Sequence, residues 1–528
     1  MTAAPLTDEA RVTAQAYDAV PYPSHAFSRT QPDRLATVGA VFGVATAHPA
    51  TARVLELGCA SGGNLLPHAA AYPGGTYLGI DASPRQVEVG QALIAQHGLT
   101  NARIEVADLT TWSPEPGAWD YVICHGVYAW VGPAVREGIL RVAREALAPG
   151  GVACISYNTP PGWGILGGMR DALLALGRPE ERADRRAAHS RHVLDVLAVA
   201  LEPSTTPWAR LVREVRSHAE SSTESYLMHE YLGAHHHPQA LSTFAVDALG
   251  AKLRYLADAS FASMLPQTLP APMRERLAEH ASGLVPTEQL LDLIRGHSFR
   301  TSLLVRDDEA IQRDLGRFNP SGFFLASRVV ERPDPDRPGT VSWHAHHDPD
   351  GPALWSSAMP WVQALVAVAR RAWPKPVSFD EAAEAALDAL AGTDLGAVVG
   401  GAREAWKQRL GQVALHAHVV GVLDLHRTSF GALDRAQDPP VAWAWARQEV
   451  TRSATVTTLR HETVSLPALD NWLISQCDGT RTRAQLRDAL RDVIARRAAW
   501  TGDGPEIEDA DLDTVFDRLS DLSLMVTP

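Results

Sequence analysis

Arg53-Val54-Leu55-Glu56-Leu57-Gly58-Cys59-Ala60-Ser61-Gly62-Gly63 is the stretch from which the fold of this chain is read. Val54 to Leu57 is a run of strand length, apolar apart from Glu56, and it is stopped by glycines at 58, 62 and 63. Glycines there let the backbone turn tightly and come close to a ligand. A strand entering a glycine loop and then a helix opens the nucleotide-binding half of a doubly wound α/β sheet, in which ligands dock outside the carboxyl ends of the strands.

Outward from that loop, residues 51–165 alternate strand and helix patterns, as a parallel sheet with crossover helices requires. Residues 76–80 read as a second strand ending at Asp81. Ser83-Pro84-Arg85-Gln86 then supplies an N-cap, a proline at the first helical position and a capping-box glutamine, which predicts a helix running to about Gly98. Residues 104–107 form a third predicted strand ending at Asp108, and residues 121–124 a fourth, followed by His125-Gly126-Val127-Tyr128-Ala129-Trp130. Val135, Ile139, Val142 and Ala146 recur on one helical face, and Pro149-Gly150-Gly151 ends that helix. Residues 152–157 form the fifth strand and lead into Asn158-Thr159-Pro160-Pro161-Gly162-Trp163.

Glu56, Asp81 and Asp108 thus fall at or near the ends of three successive strands. An acid after the second strand suits the ribose hydroxyls of NAD and of S-adenosylmethionine alike. The loop spacing separates the two: Gly58-x-x-x-Gly62 is not G-x-G-x-x-G, and the Glu56 carboxylate would repel a pyrophosphate while suiting an α-ammonium group.

The composition narrows the function classes. With 528 residues, 45% of them hydrophobic, the chain has room for several cores. A net charge of −13 argues against nucleic acid as substrate, because polyanion binding rests on Lys and Arg. No window approaches the roughly 18 apolar residues of a membrane span, and the beginning lacks a basic region followed by an apolar core, so a cytoplasmic location and no membrane partner are expected. Cys59, Cys124, Cys154 and Cys477 fall singly, without zinc spacing or a disulfide framework.

Residues 1–50 read as helical, interrupted by Tyr17-Asp18-Ala19-Val20-Pro21-Tyr22-Pro23-Ser24, which has to be a loop or lid. Residues 166–320 show apolar residues at helical spacing and no defensible strand run, predicting a helical domain. His235-His236-His237 lies before Pro238 in a turn, and its spacing from His229-Glu230 is not H-E-x-x-H, so no metal site is assigned. Residues 322–330 and 340–346 are expected to form a strand pair within 321–352, with His344 and His346 on an exposed edge. Residues 353–528 turn helical again, with capping boxes at Ser378-Phe379-Asp380-Glu381 and Thr482-Arg483-Ala484-Gln485.

Glu56-Leu57-Gly58-Cys59-Ala60-Ser61-Gly62 resembles the first motif of class I S-adenosylmethionine-dependent methyltransferases, with Ala60 where many members have a second glycine. Tyr17-Asp18-x-x-Pro21-Tyr22-Pro23-Ser24, His125-Gly126-Val127-Tyr128-x-Trp130 and Ser156-Tyr157-Asn158-x-x-Pro161-Gly162-Trp163 are similar to members that carry a methyltransferase regulatory domain, including rickettsial-type protein lysine methyltransferases. Tyr226-Leu227-Met228-His229-Glu230-Tyr231-Leu232 and Tyr255-Leu256-Ala257-Asp258-Ala259 continue the similarity, and Thr458-Leu459-Arg460-His461 with residues 473–481 carries it into the C-terminal domain.

The resemblance implies a Rossmann-like methyltransferase sheet (51–165) behind an N-terminal lid segment (1–50), followed by a helical regulatory domain (166–320), a strand pair and linker (321–352) and a winged-helix-like C-terminal domain (353–528). It implies S-adenosylmethionine held by Tyr17, Glu56, Gly58, Cys59, Ala60, Gly62, Asn64, Asp81, Ala82, Asp108, Leu109 and His125. Tyr22, His125, Tyr128, Trp130 and Asn158 would face the methyl acceptor, with Tyr157 and Trp163 as further aromatic wall residues. A protein or peptide amine is the implied acceptor. A small-molecule acceptor of secondary metabolism and a catalytically weak cofactor-binding adaptor stay open as alternatives, as does pairing of the chain into a homodimer. Asn158-Thr159-Pro160-Pro161 is not the Asn-Pro-Pro motif of amine methyltransferases, which follows the fourth strand rather than the fifth.

Overall fold

The computed structural model describes residues 6–178, 182–393, 396, 402–433, 435–501 and 509–527. The chain divides into two compact units, one made of residues 1–24, 52–66 and 75–309, the other of residues 25–51, 67–74 and 310–528.

The first unit is built on a seven-stranded sheet in the order β3-β2-β1-β4-β5-β7-β6. Its strands are β1 (Arg53–Leu57), β2 (Thr76–Asp81), β3 (Ala102–Val106), β4 (Trp119–Cys124), β5 (Leu147–Asn158), β6 (Leu253–Asp258) and β7 (Phe299–Arg306). β1 to β5 are parallel, and β7 runs antiparallel to both β5 and β6. The register sets Glu56 beside Gly79 on one side and Ile123 on the other, so the carboxylate emerges near the middle of the sheet's ligand edge. The helix predicted after Asp81 spans Pro84–His97: Ser83 accepts from the Gln86 amide, and Gly98 closes the helix at φ 62° in the left-handed region. The helix Pro133–Ala146 buries Val135, Ile139, Val142 and Ala146, as its periodicity predicts.

β6 and β7 correct the expectation that residues 166–320 contain no strand. Leu253–Asp258 and Phe299–Arg306 are almost wholly buried, and a short buried strand has no polar alternation to tell it from part of a buried helix. The helices between residues 162 and 250 are therefore an insertion between β5 and β6. They carry their own core, with Met169, Leu173, Leu194, Val212, Val215 and Leu227 buried together.

A buried ionic cluster joins the last two strands to the helix Leu284–Arg295. Arg300 on β7 donates to Asp292 Oδ2 at 2.9 Å, pairs with Glu288, and lies 3.5 Å from Asp258 Oδ2. All four side chains are at most 5% exposed. Tyr255 on β6 also donates to Glu288, at 2.7 Å. Burial pushes the Glu288 carboxyl up to about 7, against the pull of the arginine.

In the second unit the reading of residues 322–330 as one strand needs correction. Phe324–Ala326 is the central strand of a sheet with Val377–Ser378 and Asp424–His426, whereas Val330–Pro333 begins a separate three-stranded sheet with Val341–His344 and Trp355–Ser357. Ser327 leaves the ladder between them and donates to the Val422 carbonyl at 2.7 Å. His344 accordingly lies on a central strand and not on an edge. Its two ring nitrogens meet the Gly351 carbonyl (2.9 Å) and Ser342 Oγ (3.0 Å). The capping box at Thr482 forms in full, Thr482 accepting from the Gln485 amide at 3.3 Å while its own amide donates to Gln485 Oε1 at 2.9 Å; at Ser378 one half forms, Ser378 accepting from the Glu381 amide at 3.2 Å while its hydroxyl donates to Glu381 Oε2 at 2.7 Å. A strand pair, Thr455–Thr457 with Thr463–Ser465, accompanies the helices Ala468–Gln476, Arg483–Thr501 and Asp509–Asp521. Among the described residues, no helix is long and apolar enough to cross a membrane.

Candidate active site

The loop after β1 is shaped by its glycines. Gly58 (φ 71°) and Gly62 (φ 82°) occupy the left-handed region, and a Cβ on either would meet Val127 or Ile104 at 2.5–2.6 Å. Ala60 sits at φ 48°, so it keeps the backbone conformation a glycine would favour there. Its amide donates to Asp81 Oδ2 at 2.8 Å, and the Ser83 amide donates to Asp81 Oδ1 at 2.8 Å, which locks the β1 and β2 loops to one carboxylate. Burial raises the Asp81 carboxyl above its ordinary range, partly offset by those amides.

Glu56 is 3% exposed. Asn64 Nδ2 donates to its Oε1 at 2.8 Å, while Oε2 is buried with no partner among the described residues. Burial pushes this carboxyl up to about 8; the Asn64 hydrogen bond lowers it and the nearby Asp81 charge raises it further. A buried carboxylate with one open acceptor beside a glycine loop fits a ligand that brings a cation, and the α-ammonium of S-adenosylmethionine meets that requirement. Cys59 is buried, and its thiol is pushed well up by that burial, so it packs the loop as a neutral group.

Asp108 is placed at the end of β3 as expected, with its carboxylate engaged by the chain itself. Thr7 donates twice to Oδ2, from its amide (2.8 Å) and hydroxyl (2.6 Å), and Thr110 donates twice to Oδ1 (2.8 and 2.7 Å). Leu109 is 8% exposed and packs into the core under the sheet. Ala82 lies in the β2 loop between Asp81 and Ser83.

The segment ending at Ser24 is laid across all three of these loops. Besides Thr7 on Asp108, Asp18 pairs with the Ser83 hydroxyl, Arg85 donates to the Asp18 carbonyl (2.6 Å), Gln86 donates to the Tyr22 carbonyl (3.4 Å), and the Gly63 amide donates to Ser24 Oγ (2.7 Å). From the other side, the Val20 carbonyl meets His229 Nε2 at 2.7 Å and the Pro21 carbonyl accepts from Ser225 Oγ at 2.9 Å. Tyr17 stacks on the His229 ring (centroids 4.3 Å, 8° between planes), and Tyr22 meets it edge-on at 5.6 Å.

The loops after β4 and β5 assemble an aromatic group next to this. Trp130 stacks on His236 (4.5 Å, 28°) and meets Trp163 edge-on at 5.6 Å, with Trp163 also against His236 at 4.5 Å. Asn158 Nδ2 lies 3.2 Å from His236 Nε2. Two backbone bonds put His236 there: the His237 amide donates to the Ala129 carbonyl (2.7 Å) and the Gln239 amide to the Asn158 carbonyl (2.8 Å). Burial pushes the His236 imidazole down to about 4, so it is neutral at pH 7. His125 lies edge-on to Phe299 at 5.6 Å.

Tyr128 departs from its expected place as an acceptor wall. It is 1% exposed and packs against Tyr157 and Phe244 in the core, and Tyr157, also 1% exposed, reaches Ser302 Oγ at 3.0 Å. The residues that sequence reasoning did not assign to the site are His229 and His236. The signal for His236 was the histidine triplet before Pro238, which marks a turn; its contact with Trp130 depends on chain 106 residues away in sequence. Among the described residues, no group of three or more His, Cys, Asp or Glu side chains is arranged to hold a metal ion.

Comparison with known proteins bears on the whole chain. Family models match for a methyltransferase domain at residues 54–151, a predicted methyltransferase regulatory domain at 223–306 and a PKMT C-terminal winged helix domain at 438–523. An uncharacterized protein of Rickettsia prowazekii (strain Madrid E) is 28% identical over 93% of this chain and 88% of its own length. A second uncharacterized protein of the same organism is 38% identical over 41% of this chain and 87% of its own length. Among solved structures, PKMT2 from Rickettsia typhi is 25% identical and superimposes with a TM-score of 0.81, covering 96% of this chain and all of that one. A further structure of that protein, in complex with AdoHcy, matches equally well at 24% identity. With the sheet order, the glycine loop and these matches together, the chain belongs to the class I S-adenosylmethionine-dependent methyltransferases that carry a methyltransferase regulatory domain and a PKMT-type winged-helix domain.

Proposed function

We propose that this protein transfers the methyl group of S-adenosylmethionine to lysine side chains of protein substrates. The observation that carries the reading is the likeness to PKMT2 along nearly the whole chain, the PKMT-type C-terminal domain included, since a catalytic domain alone would speak only for methyl transfer. The aromatic group of Trp130, Trp163 and His236 supports it chemically: a neutral, partly desolvated surface favours the uncharged amine, which has the lone pair the reaction needs.

When bound, S-adenosylmethionine supplies an electrophilic methyl on a positively charged sulfur. In this reading the open oxygen of Glu56 accepts the α-ammonium, Asp81 accepts from the ribose, and the backbone of Gly58, Cys59, Ala60 and Gly62 forms the cradle, with Asn64 orienting Glu56. Asp108 can serve the adenine only where Thr7 yields part of its hold on the carboxylate. Tyr17, Tyr22 and the segment around them exclude water from above, and Asn158, His236 and Trp130 line the acceptor side. Protein or peptide is the partner implied.

The test is to incubate the protein with methyl-labelled S-adenosylmethionine and a bacterial lysate and to separate macromolecules from small molecules. Label retained in protein bands is expected. Label confined to small molecules would overturn the reading in favour of a small-molecule acceptor.

A further inference from the structure

The second unit holds a cavity of about 350 Å³, none of whose lining residues enters the site described above. Arginines reach it from two parts of the chain: Arg328, between the strands Phe324–Ala326 and Val330–Pro333, and Arg370 and Arg371, in the last turn of the helix Pro360–Ala372. Its carboxylates are Glu331 and Asp521, and Trp373 supplies an aromatic wall. A volume at the low end of ligand pockets takes a small molecule or a few side chains of an extended segment, not a folded domain.

The charges around this cavity are unequally matched. Glu331 Oε2 accepts from Arg370 Nη1 at 2.8 Å and from Trp343 Nε1 at 3.2 Å, and Arg370 Nε donates to the Val329 carbonyl at 3.1 Å, so that pair is closed. Arg328 has one long contact, from Nη2 to Glu462 Oε1 at 3.4 Å. Arg371 is exposed and enters no hydrogen bond or ion pair among the described residues, and the same holds for the Asp521 carboxylate. A further guanidinium backs the wall: Arg460 lies 4.3 Å and Arg328 5.6 Å from the centroid of the Trp373 ring, whose Nε1 donates to the Asp521 carbonyl at 3.2 Å. Arg460 is 6% exposed; its Nη2 donates to Asp424 Oδ2 at 2.9 Å, while Nε and Nη1 are buried without a partner. The helix dipole accounts for arginines in a last turn, but not for the convergence of Arg328 and Arg460 on one ring beside them. In a chain of net charge −13, open guanidinium forks gathered at one cavity suit an anion.

The carboxylates narrow that anion. A phosphate would meet Glu331 and Asp521 as like charges, whereas a polypeptide with acidic side chains brings both partners the cavity lacks: carboxylates that accept from the forks and backbone amides that donate to Asp521. We infer that this cavity docks an acidic segment of a partner polypeptide, with one Glu or Asp side chain on Arg371, a second on Arg328 and a backbone amide on Asp521. The Trp373 ring, fixed by the Asp521 carbonyl, is the surface against which the segment lies. The inference goes beyond the lysine reading and does not depend on it, because it assigns a binding surface whichever acceptor is methylated.

The experiment uses the full chain and a fluorescently labelled, C-amidated tetraglutamate peptide, followed by anisotropy at low ionic strength, with circular dichroism and urea unfolding as controls for folding. The wild type should bind this peptide and not the tetraglutamine analogue, with an affinity that falls as sodium chloride is added. Arg371→Gln should weaken binding about three- to fivefold, and Arg328→Gln combined with Arg371→Gln at least about tenfold, as exposed ion pairs do. Arg409→Gln, which removes a guanidinium of the same unit outside the cavity, should bind as the wild type does. No binding by the wild type, wild-type affinity in the folded double variant, or an equal loss in Arg409→Gln would overturn the inference. Displacement of the peptide by inorganic phosphate, beyond that by sodium chloride at the same ionic strength, would overturn the polypeptide assignment in favour of a small-anion site.

Discussion

Replacing Glu56 by glutamine keeps the shape of the side chain and its contact with Asn64 but removes the charge, and the consequences can be worked out from the geometry. In the free protein the carboxyl is pushed up to about 8, so at pH 7 about nine-tenths of the molecules carry it protonated. An α-ammonium bound at its open oxygen favours the ionised form, so binding expels a proton. Below about pH 8 the affinity for S-adenosylhomocysteine should then fall by up to tenfold, about 1.4 kcal/mol, for each unit of pH, and should level off near pH 8. Titration calorimetry in two buffers of different ionisation enthalpy should read nearly one proton released per ligand at pH 7. In Glu56→Gln the release should vanish and the pH dependence flatten. At pH 8 the affinity should be lower by about 1.5–3 kcal/mol, the range for a hydrogen bond to a charged group, or roughly 10- to 150-fold. Wild-type affinity in the variant, or binding by the wild type with no proton released, would refute the pairing of Glu56 with the ammonium.

Asp81→Ala should weaken S-adenosylhomocysteine binding by about 1.5–3 kcal/mol, since the carboxylate proposed to accept from ribose also holds the Ala60 and Ser83 amides; unchanged affinity in calorimetry would dismiss the ribose role. Gly63→Ala would set a Cβ 2.3 Å from the Ser24 carbonyl oxygen, a backbone clash that no side-chain rotation relieves. The strain, of order 1–3 kcal/mol, should free residues 17–24 and speed their amide hydrogen exchange, and exchange at the wild-type rate would show that the segment is held elsewhere. Arg300→Met leaves Asp258, Glu288 and Asp292 buried without their shared cation, and a loss of about 3–5 kcal/mol in urea unfolding is expected. A loss below about 1 kcal/mol would mean that the cluster contributes little to stability.

The parts of the site that lay within one strand and its loop were legible in the chain. The glycines at 58 and 62, the acids at 56, 81 and 108 and the cap at Ser83 are local features, and each stands where its spacing placed it. Residue types that depend on distant partners were less so. Tyr128 has the composition of an acceptor wall but is drawn into the core by Tyr157 and by Phe244, over a hundred residues on. Asp108 has the position of an adenine acceptor, but its lone pairs are shared with Thr7, 101 residues earlier. β6 and β7 escaped notice because burial on both faces erases the period of two by which a strand is recognised. His236 carries no motif of its own; its place is decided by the backbone bonds of His237 and Gln239 to the Ala129 and Asn158 carbonyls.

The most direct measurement of the central claim is the chemical identity of the methylated residue. Protein labelled with methyl-tritiated S-adenosylmethionine is hydrolysed completely in acid, and the amino acids are resolved by chromatography. Label eluting with ε-N-methylated lysine, and reduced when Asp81→Ala replaces the wild type at sub-saturating S-adenosylmethionine, is the predicted result. Label on any other amino acid, or none in the hydrolysate while S-adenosylmethionine is consumed, would contradict it.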